Sequence, residues 1–394
     1  MPIIGQAMDV VIVGGGLSGL ASAVHLLDVG VTTPSSITIL EGRSRVGGRL
    51  QAHEGVDVGG AWCWTSAHQE VPALAQRFGV ASFDQYDKGL NTIDHGDSVA
   101  RTRNSFDSKK VRFEGGAAAI TSAMANHVRA KGVNIQLECM VNRISTAHDD
   151  AVRVEGVQAG KSVSWVARAV FVAIPPRLAS PPLMTWEPSL PPAMLRIATA
   201  TPTWMAETTK VLVTYPRPFW RELGMSGDAM SYGGGPIQQL YDSSGPDGGA
   251  GPNALCGFVF GSGARQPPPD DILRPQVLKQ LERLFGVDAT SPLSFSSHRW
   301  VEQPLTSGNG GGAGGGHDSM GDRELRKPFG AGPSGGPSRV WLSSAETDGD
   351  HRGLMEGALL AGRRVAKQAI RSGVLAKLGA NVANETCSSG KPSP

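Results

Sequence analysis

The chain has 394 residues, enough for two domains around cores of ordinary size. Its 37 basic and 35 acidic residues give a net charge of +2, so nothing indicates a polyanionic partner such as nucleic acid. Four scattered cysteines lack the spacing of a zinc site or a disulfide framework, so we predict no metal site and a reducing, cytoplasmic location.

The first predicted unit is a strand, a glycine-rich turn and a helix. Apolar residues 10–13 run into Gly14-x-Gly16-x-x-Gly19, and a helix of small residues is predicted over 20–27. The first glycine permits a tight turn, the second lets backbone N–H groups approach a pyrophosphate, and the third lets the helix pack on the strand. The pattern predicts the start of a dinucleotide-binding unit.

A second predicted strand, residues 36–40, ends at Glu41. In a dinucleotide-binding unit, a carboxylate at this distance from the glycine turn binds ribose hydroxyls. Strand, turn, helix and acid are thus all present in the expected order. Together they predict an α/β fold that begins with a Rossmann-like unit.

The identity of the dinucleotide is indicated by two further glycine-rich segments. Residues 41–49 read Glu-Gly-Arg-Ser-Arg-Val-Gly-Gly-Arg, and residues 56–62 read Val-Asp-Val-Gly-Gly-Ala-Trp. A nicotinamide-binding unit does not require these two glycine-rich segments. A flavoprotein that binds FAD in an extended conformation does require a chain that passes close to the phosphates and the flavin. The pattern resembles that of the flavin-containing amine oxidase family, E-x-R-x-R-x-G-G-R followed by G-G-x-aromatic. We therefore expect FAD.

The middle of the chain predicts a return to the first sheet. A glycine turn at Gly115 is followed by a helix to about residue 131, and then by predicted strands over 133–137, 140–144, 152–157, 163–166 and 170–174. The resemblance implies that the last strand rejoins the FAD-binding sheet and that Val141 faces the adenine through its backbone. Only about thirty residues, 83–114, stand where the family usually has roughly a hundred, which implies a shortened substrate domain.

The fold class predicted is α/β, with a Rossmann-like FAD-binding domain interleaved with a smaller α+β substrate domain. We assign the FAD-binding domain to residues 9–82, 112–182 and 337–374, the substrate domain to 83–111 and 183–336, and a disordered polar tail to 375–394. The glycine-rich segments at 307–316 and 330–337 are predicted to be surface loops. The N-terminus shows no secretory signal and no apolar run suits a transmembrane helix, so we expect no membrane anchor.

The C-terminal region resembles the family's flavin-closing segment. Residues 340–348 read Val-Trp-Leu-Ser-Ser-Ala-Glu-Thr-Asp, which is similar to the family's signature strand ending in Glu-Thr, and Gly-Leu-Met-Glu-Gly at 353–357 resembles the motif that opens its helix. The helix N-terminus suits the flavin N1–C2=O region, which becomes anionic on reduction. The resemblance implies that Glu346 accepts hydrogen bonds from ribityl hydroxyls and that the Met355 N–H donates to the flavin carbonyl.

Lys210 is the predicted catalytic residue. It lies on a strand followed by Pro-x-Pro-Phe-Trp. A lysine on a strand is more often solvated, but in the resembling family a lysine here holds a water against flavin N5, where a cation could assist reoxidation by O2.

The aromatic cage that flanks the flavin in many family members is incomplete. Leu354 stands where a tyrosine is common, and the glycine run near Gly310 occupies the second position. Trp300 resembles the tryptophan that precedes that position. Trp62 and Trp64 are candidate walls, although either could simply belong to the core. Because no cysteine lies between residues 256 and 387, covalent flavin attachment by the family's route is excluded and FAD is predicted to be noncovalent.

These observations predict an FAD-dependent amine oxidase that moves a hydride from an amine-bearing carbon to flavin N5, with O2 reoxidising the flavin to give hydrogen peroxide. Alternatives are an oxidase or desaturase acting at C–C bonds, of porphyrinogen or carotenoid type, and a flavin-binding protein without turnover. The particular amine and the oligomeric state stay open. The predicted cofactor-binding residues are Gly14, Gly16, Leu17, Ser18, Gly19, Glu41, Gly42, Arg43, Gly48, Arg49, Gly60, Ala61, Trp62, Val141, Trp300, Glu346, Leu354 and Met355.

Overall fold

Residues 3–103, 109–146, 151–247, 251–260, 266–308 and 317–375 are described by the structure, a computed structural model. Its β-strands are Ile3–Val13 (β1), Ile37–Leu40 (β2), Ala52–His53 (β3), Val56–Asp57 (β4), Cys63–Trp64 (β5), Ser82–Asp84 (β6), Leu90–Asp94 (β7), Val99–Arg103 (β8), Lys110–Phe113 (β9), Asn134–Gln136 (β10), Cys139–Ser145 (β11), Val152–Gln158 (β12), Lys161–Val172 (β13), Thr185–Glu187 (β14), Thr209–Tyr215 (β15), Met225–Ser231 (β16), Gln239–Asp242 (β17), Asn253–Val259 (β18), Ser294–Arg299 (β19) and Val340–Leu342 (β20). Its α-helices are Leu17–Val29 (α1), Glu70–Arg77 (α2), Ala117–Ala130 (α3), Pro192–Ala200 (α4), Phe219–Glu222 (α5), Asp270–Phe285 (α6), Pro304–Ser307 (α7) and Met355–Arg371 (α8).

The first sheet has a parallel half and an antiparallel half. Strands β10, β2, β1, β13 and β20 run parallel in that order. The last residues of β13 pair with β20, whereas its first half pairs with β12 as well as with β1. Strand β12 then pairs with β11, and β11 with β14. Because the parallel strands share a direction, the segments that follow β1, β2, β13 and β20 meet at one edge, where α/β sheets bind ligands.

Helices cover one face of this parallel half. Residues 10–13 of β1 are almost fully buried, as expected for a strand covered on both faces. Small residues let the helices approach closely: a Cβ at Gly362 of α8 would lie 2.3 Å from the Ser18 carbonyl oxygen of α1. Side chains of α1, α3 and α8 form one core with this face, whereas the meander strands and α4 form the core on the other.

The second sheet has the order β19, β15, β18, β17, β16, β7, β8. Its core lies against α6, through Leu273, Val277, Leu281 and Leu284. Strand β15 is buried along its whole length and pairs with β18 on one side and β19 on the other. This central position explains why its lysine is not solvated.

The two sheets meet through residues 56–59, the segment that leads into the Gly59-Gly60 pair. Val56 and Val58 pack against Leu212 of β15 and Ala254 of β18 in a small apolar cluster. The Lys210 ammonium reaches across and donates a hydrogen bond to the Gly59 carbonyl oxygen, at 2.6 Å. The cavity described below lies at this junction.

The predicted α/β class, with a Rossmann-like FAD-binding sheet and a second mixed region, is confirmed. Two element predictions were too short: α1 is Leu17–Val29 rather than 20–27, and the separate strands predicted at 163–166 and 170–174 are one strand, β13. Pairing with β1 along nearly its whole length keeps β13 extended through the Ala-Arg-Ala segment at 167–169, against local propensity.

The domain boundaries stay a proposal. One strand, β14, belongs to the first sheet although it follows residue 182. The tail prediction concerns residues 375–394, of which 376–394 lie outside the described ranges, as do residues 309–316 of the glycine run near Gly310.

Candidate active site

A cavity of about 540 Å³ extends from the carboxyl edge of the parallel strands to the second sheet. At the first end, it is lined by residues that follow β1, β2, β13 and β20, such as Gly16, Glu41, Ile174 and Ser344. The far end is lined by side chains of β15, β17 and β18. We call the first the nucleotide end and the second the amine end, after the cofactor and the substrate class expected from the sequence.

At the nucleotide end, α1 begins at Leu17, with Gly16 as its N-cap and no side chain capping it. The first backbone N–H groups of the helix are therefore available to an anion. Gly14 has φ +107°, and a Cβ at Gly19 would lie 2.0 Å from the Gly14 carbonyl oxygen. The tight turn and close helix approach predicted from the sequence are both present.

Glu41 holds the turn in place. Its Oε2 accepts from the Gly15 N–H at 2.7 Å, and its Oε1 accepts from the Arg43 N–H at 2.8 Å. The Arg43 guanidinium donates to the Thr306 hydroxyl at 2.7 Å, and burial lowers its pKa.

Arg49 is fixed by a fully buried carboxylate. The Glu346 carboxylate pairs with it through Nη1–Oε1 at 2.6 Å and Nη2–Oε2 at 3.0 Å. The Nη2–Oε2 contact is a hydrogen bond, whereas Oε1 is buried and makes no hydrogen bond with the described residues. The ion pair orients the guanidinium, which lines the cavity, while Glu346 itself does not.

A second helix points its N-terminus at the cavity. Helix α8 begins at Met355, its N-cap Leu354 provides no side-chain cap, and both residues line the cavity. Gly353 has φ +73°, and a Cβ there would lie 2.7 Å from the Cβ of Trp204. The Glu356 carboxylate is engaged elsewhere, since it accepts the N–H groups of residues 69–71 at the start of α2.

Most of the predicted residues come together around the cavity. Those that line it are Gly14, Gly16, Leu17, Ser18, Glu41, Arg43, Gly48, Arg49, Gly60, Ala61, Trp62, Lys210, Trp300, Leu354 and Met355. The others lie behind the lining or beside it: Gly19, Gly42, Val141 and Glu346. Gly42 packs near Leu305 and Met140, and Val141 is buried on β11.

Lys210 is 4% exposed at the amine end. Its ammonium lies 5.3 Å from the Trp62 ring centroid and 4.7 Å from that of Phe258. Burial lowers the pKa of Lys210, opposed by the nearby Cys256 and Asp57. This is a desolvated amine against two aromatic faces, unlike the solvated lysine expected of an average strand.

Three aromatic rings form a wall around Lys210, and the sequence indicated only one of them. The Trp62 centroid lies 5.0 Å from that of Tyr241 and 6.1 Å from that of Phe258, whose ring in turn stacks on Phe260 at 5.6 Å. The period-two spacing of Gln239 and Tyr241 places both on one face of β17, and the same spacing separates Phe258 of β18 from Phe260 just beyond the strand. That spacing was the signal available.

Trp62 is held in place by Gln85. The indole Nε1 donates to the Gln85 side-chain oxygen at 2.7 Å, and the Gln85 amide donates to the Asp242 carbonyl oxygen at 2.7 Å. Trp64 also lines the cavity. Trp300 also lines the cavity, and its indole Nε1 donates to the Val58 carbonyl oxygen at 2.8 Å. This buried tryptophan therefore also fixes the backbone just before Gly59.

The cavity fits FAD. It is elongated, and two uncapped helix N-termini provide donors for the anionic groups of the cofactor. The Ser344 Oγ is buried at the lining and has no hydrogen-bond partner among the described residues, as expected for a group that bonds to a cofactor. Fold and site together define an FAD-dependent oxidoreductase.

Comparison with known proteins specifies the family. The model of the flavin containing amine oxidoreductases matches residues 17–103 and 96–370. The chain is 26% identical over 466 residues to the protein named "Probable flavin-containing monoamine oxidase A" of Dictyostelium discoideum, covering 91% of this chain and 97% of that one. It is 30% identical over 258 residues to a flavin-containing monoamine oxidase homologue, AofH, of Mycobacterium tuberculosis, covering 65% of this chain but only 52% of that one.

Among solved structures, wild-type putrescine oxidase bound to putrescine superimposes with a TM-score of 0.75 at 19% identity, covering 94% of this chain and 100% of that one. This likeness concerns the fold. The chain belongs to the flavin-containing amine oxidoreductase family, which confirms the resemblance seen in the sequence and FAD as the cofactor. The two relatives reported above are named as monoamine oxidases and not as C–C desaturases.

None of the helices within the described ranges is both long and apolar enough to cross a membrane.

Proposed function

We propose that the protein oxidises an amine at its amine-bearing carbon. The observation that supports this best is the cavity itself, which joins a dinucleotide-binding sheet edge to an aromatic-walled chamber around a buried lysine. Overall, amine, O2 and water give a carbonyl compound, ammonia or a smaller amine, and hydrogen peroxide.

When bound, FAD supplies the acceptor for the hydride of the substrate and passes the electron pair to O2. At the nucleotide end, the N–H groups at the start of α1 would bind the pyrophosphate and Glu41 would accept from ribose hydroxyls. Arg49, oriented by Glu346, would face the cofactor near the flavin. The Met355 N–H, at the start of α8, would favour negative charge on the flavin ring.

At the amine end, the chain would favour an unprotonated amine. The walls of Trp62, Tyr241 and Phe258 exclude water, and desolvation disfavours an ammonium ion. The neighbouring Lys210 adds like-charge repulsion against a protonated substrate. The nitrogen lone pair of the neutral amine is what drives C–H cleavage, so no general-base triad is required.

We propose that Lys210 acts in reoxidation. Its ammonium is held by the Gly59 carbonyl oxygen, in the Gly59-Gly60 segment that lines the cavity and would lie beside bound FAD. A cation fixed there would stabilise negative charge that develops as O2 accepts electrons.

The location predicted from the cysteines stays a proposal. Cys63, Cys139 and Cys256 are buried and unbridged, which supports a reducing compartment.

The test is spectroscopic. Purified protein supplied with FAD should show the two absorption bands of oxidised flavin, and acid precipitation should release all of the flavin into the supernatant. Under anaerobic conditions, a panel of amines should include members that bleach the bands, and air should restore them with release of peroxide. Bands that respond to isoprenoid or tetrapyrrole substrates but to no amine would overturn the proposal.

A further inference from the structure

The charged side chains that line the amine end are cations. The ionisable side chains that line it include Lys210 and Lys110. Among the described residues, the lining carboxylate is Glu41, which lies at the nucleotide end and is bound to the Gly15 and Arg43 N–H groups. A substrate in the aromatic chamber therefore meets positive charge and no carboxylate.

The two lysines differ in how they are engaged. The Lys210 ammonium is fully buried and donates to the Gly59 carbonyl oxygen. The half-buried Lys110 lies on β9 opposite Trp64 of β5, and its ammonium is 5.6 Å from the Tyr241 ring centroid. Within the described part of the chain, no carboxylate oxygen lies within 4 Å of the Lys110 Nζ. This cation faces the cavity without a close counter-ion.

The carboxyl group whose pKa responds to Lys110 is that of Asp228, which lies outside the lining. Its Oδ1 has no hydrogen-bond partner among the described residues, so Lys110 does not bond to it. Burial raises the pKa of Asp228 to about 7, with Lys110 acting in the opposite direction. Near neutral pH this carboxyl is therefore protonated part of the time, and it offsets the charge of Lys110 only in part.

These observations determine which end group a substrate should carry. A second ammonium group would be repelled by Lys110, whereas a carboxylate would gain a charge-assisted hydrogen bond from it. The rings of Trp62, Tyr241 and Phe258 would cover the apolar part between the two ends.

We propose that the substrate is an amine that also carries an anionic group, in the simplest case a carboxylate, and that Lys110 binds this group. The inference rests on the proposed function and names the substrate class of that site. Lys110 is then a specificity-determining residue, distinct from Lys210.

The experiment compares three amines that share a ring and a reacting carbon: 4-(aminomethyl)benzoate, 4-methylbenzylamine and 1,4-bis(aminomethyl)benzene. Phenylalanine and phenethylamine form a second pair, with the carboxylate beside the amine. The readout is the Kd from anaerobic bleaching of the flavin bands in the FAD-loaded full chain. The anionic member of at least one set should bind about tenfold or more tighter than the neutral one, and the diamine most weakly.

Variants of Lys110 test whether this residue causes the preference for anionic substrates. Lys110→Met should reduce the anionic-over-neutral ratio about tenfold, Lys110→Arg should retain it, and Lys110→Glu should reverse it in favour of the diamine. Lys109→Met is the matched control, since Lys109 is an exposed neighbour outside the lining and its loss should leave all ratios as in the unmodified protein.

A binding measurement that does not depend on turnover tests anion binding by Lys110 separately from amine oxidation. Phenylacetate should perturb the flavin spectrum or raise the Tm more than phenylacetamide does, and Lys110→Met should remove the difference. If amines bleach the flavin but the diamine is preferred, or Lys110→Met changes no ratio, the inference is wrong and amine oxidation stands. If no amine bleaches the flavin, the proposed function fails, and phenylacetate binding still decides whether Lys110 is an anion site.

Discussion

The two ends of the cavity are built in different ways. The nucleotide end consists of turns that follow parallel strands, and its contacts are backbone N–H groups, glycines and the short-range pairs of Glu41. The amine end consists of side chains from separate strands of the second sheet, such as Lys210, Tyr241 and Phe258. The nucleotide end therefore requires positions without side chains, whereas the amine end requires particular side chains that line it.

The largest expected effect comes from filling the nucleotide end. Gly19→Val places a side chain where even a Cβ lies 2.0 Å from the Gly14 carbonyl oxygen, so the turn and α1 must separate. We expect a destabilisation of about 3 kcal/mol or more and loss of bound FAD. The measurements are the flavin absorption bands and the Tm. The control is Gly336→Ala, where a Cβ meets no atom within 4 Å, and a Gly19→Val protein that keeps its yellow colour would contradict the account.

The next effect removes the charge of Lys210 from the amine end and replaces it with an uncharged, unbranched side chain of similar size. Lys210→Met should slow the reaction of reduced flavin with O2 by about 10²-fold, because a fixed cation no longer stabilises the developing negative charge. Stopped-flow mixing of anaerobically reduced protein with O2 measures this step directly. Lys109→Met, on the exposed neighbour of Lys110, provides a charge-matched control. Equal reoxidation rates in Lys210→Met and the unmodified protein would remove Lys210 from the mechanism.

A smaller effect is expected from the aromatic wall. Trp62→Leu should lower kcat/KM for aromatic amines by about 10- to 100-fold, since the ring excludes water and covers the substrate. Gln85→Met, which frees the indole Nε1, should lower it less. Tyr232→Leu changes an aromatic side chain that is 73% exposed and serves as the control. Should Trp62→Leu match the control in steady-state assays, the wall would not contact the substrate.

The smallest effect concerns Asp57, which lies buried where the two ends meet. Burial raises its pKa to about 6, from 3.8. The folded state thus binds this proton more tightly than the unfolded state, so the stabilisation from this group is fully present below pH 3.8 and is lost as the pH rises through 6.

Asp57→Asn should therefore remove this dependence. The Tm of the unmodified protein minus that of the variant should fall between pH 4 and pH 6.5, as measured by thermal melting. Asp84→Asn, at an exposed carboxyl on β6, should give a difference that stays flat over this range. A difference that rises with pH would have the wrong sign for a buried acid.

The nucleotide end could be predicted from the sequence because its determinants are contiguous. Gly14, Gly16 and Glu41 occupy fixed positions relative to two strands, so spacing alone defines their roles. The merging of two predicted strands into β13 could not be foreseen, since it depends on pairing with β1. At the amine end, Trp62 and Lys210 were inferred by resemblance, but Tyr241 and Phe258 are 17 positions apart and meet only because β17 pairs with β18.

The most direct test of the central claim uses the FAD-loaded protein and a single amine, added without O2. We predict that the oxidised-flavin bands disappear, and that admitting O2 restores them with one hydrogen peroxide released per flavin. Bands that persist with every amine tested, in protein that demonstrably holds FAD, would contradict the assignment of amine oxidation to this cavity.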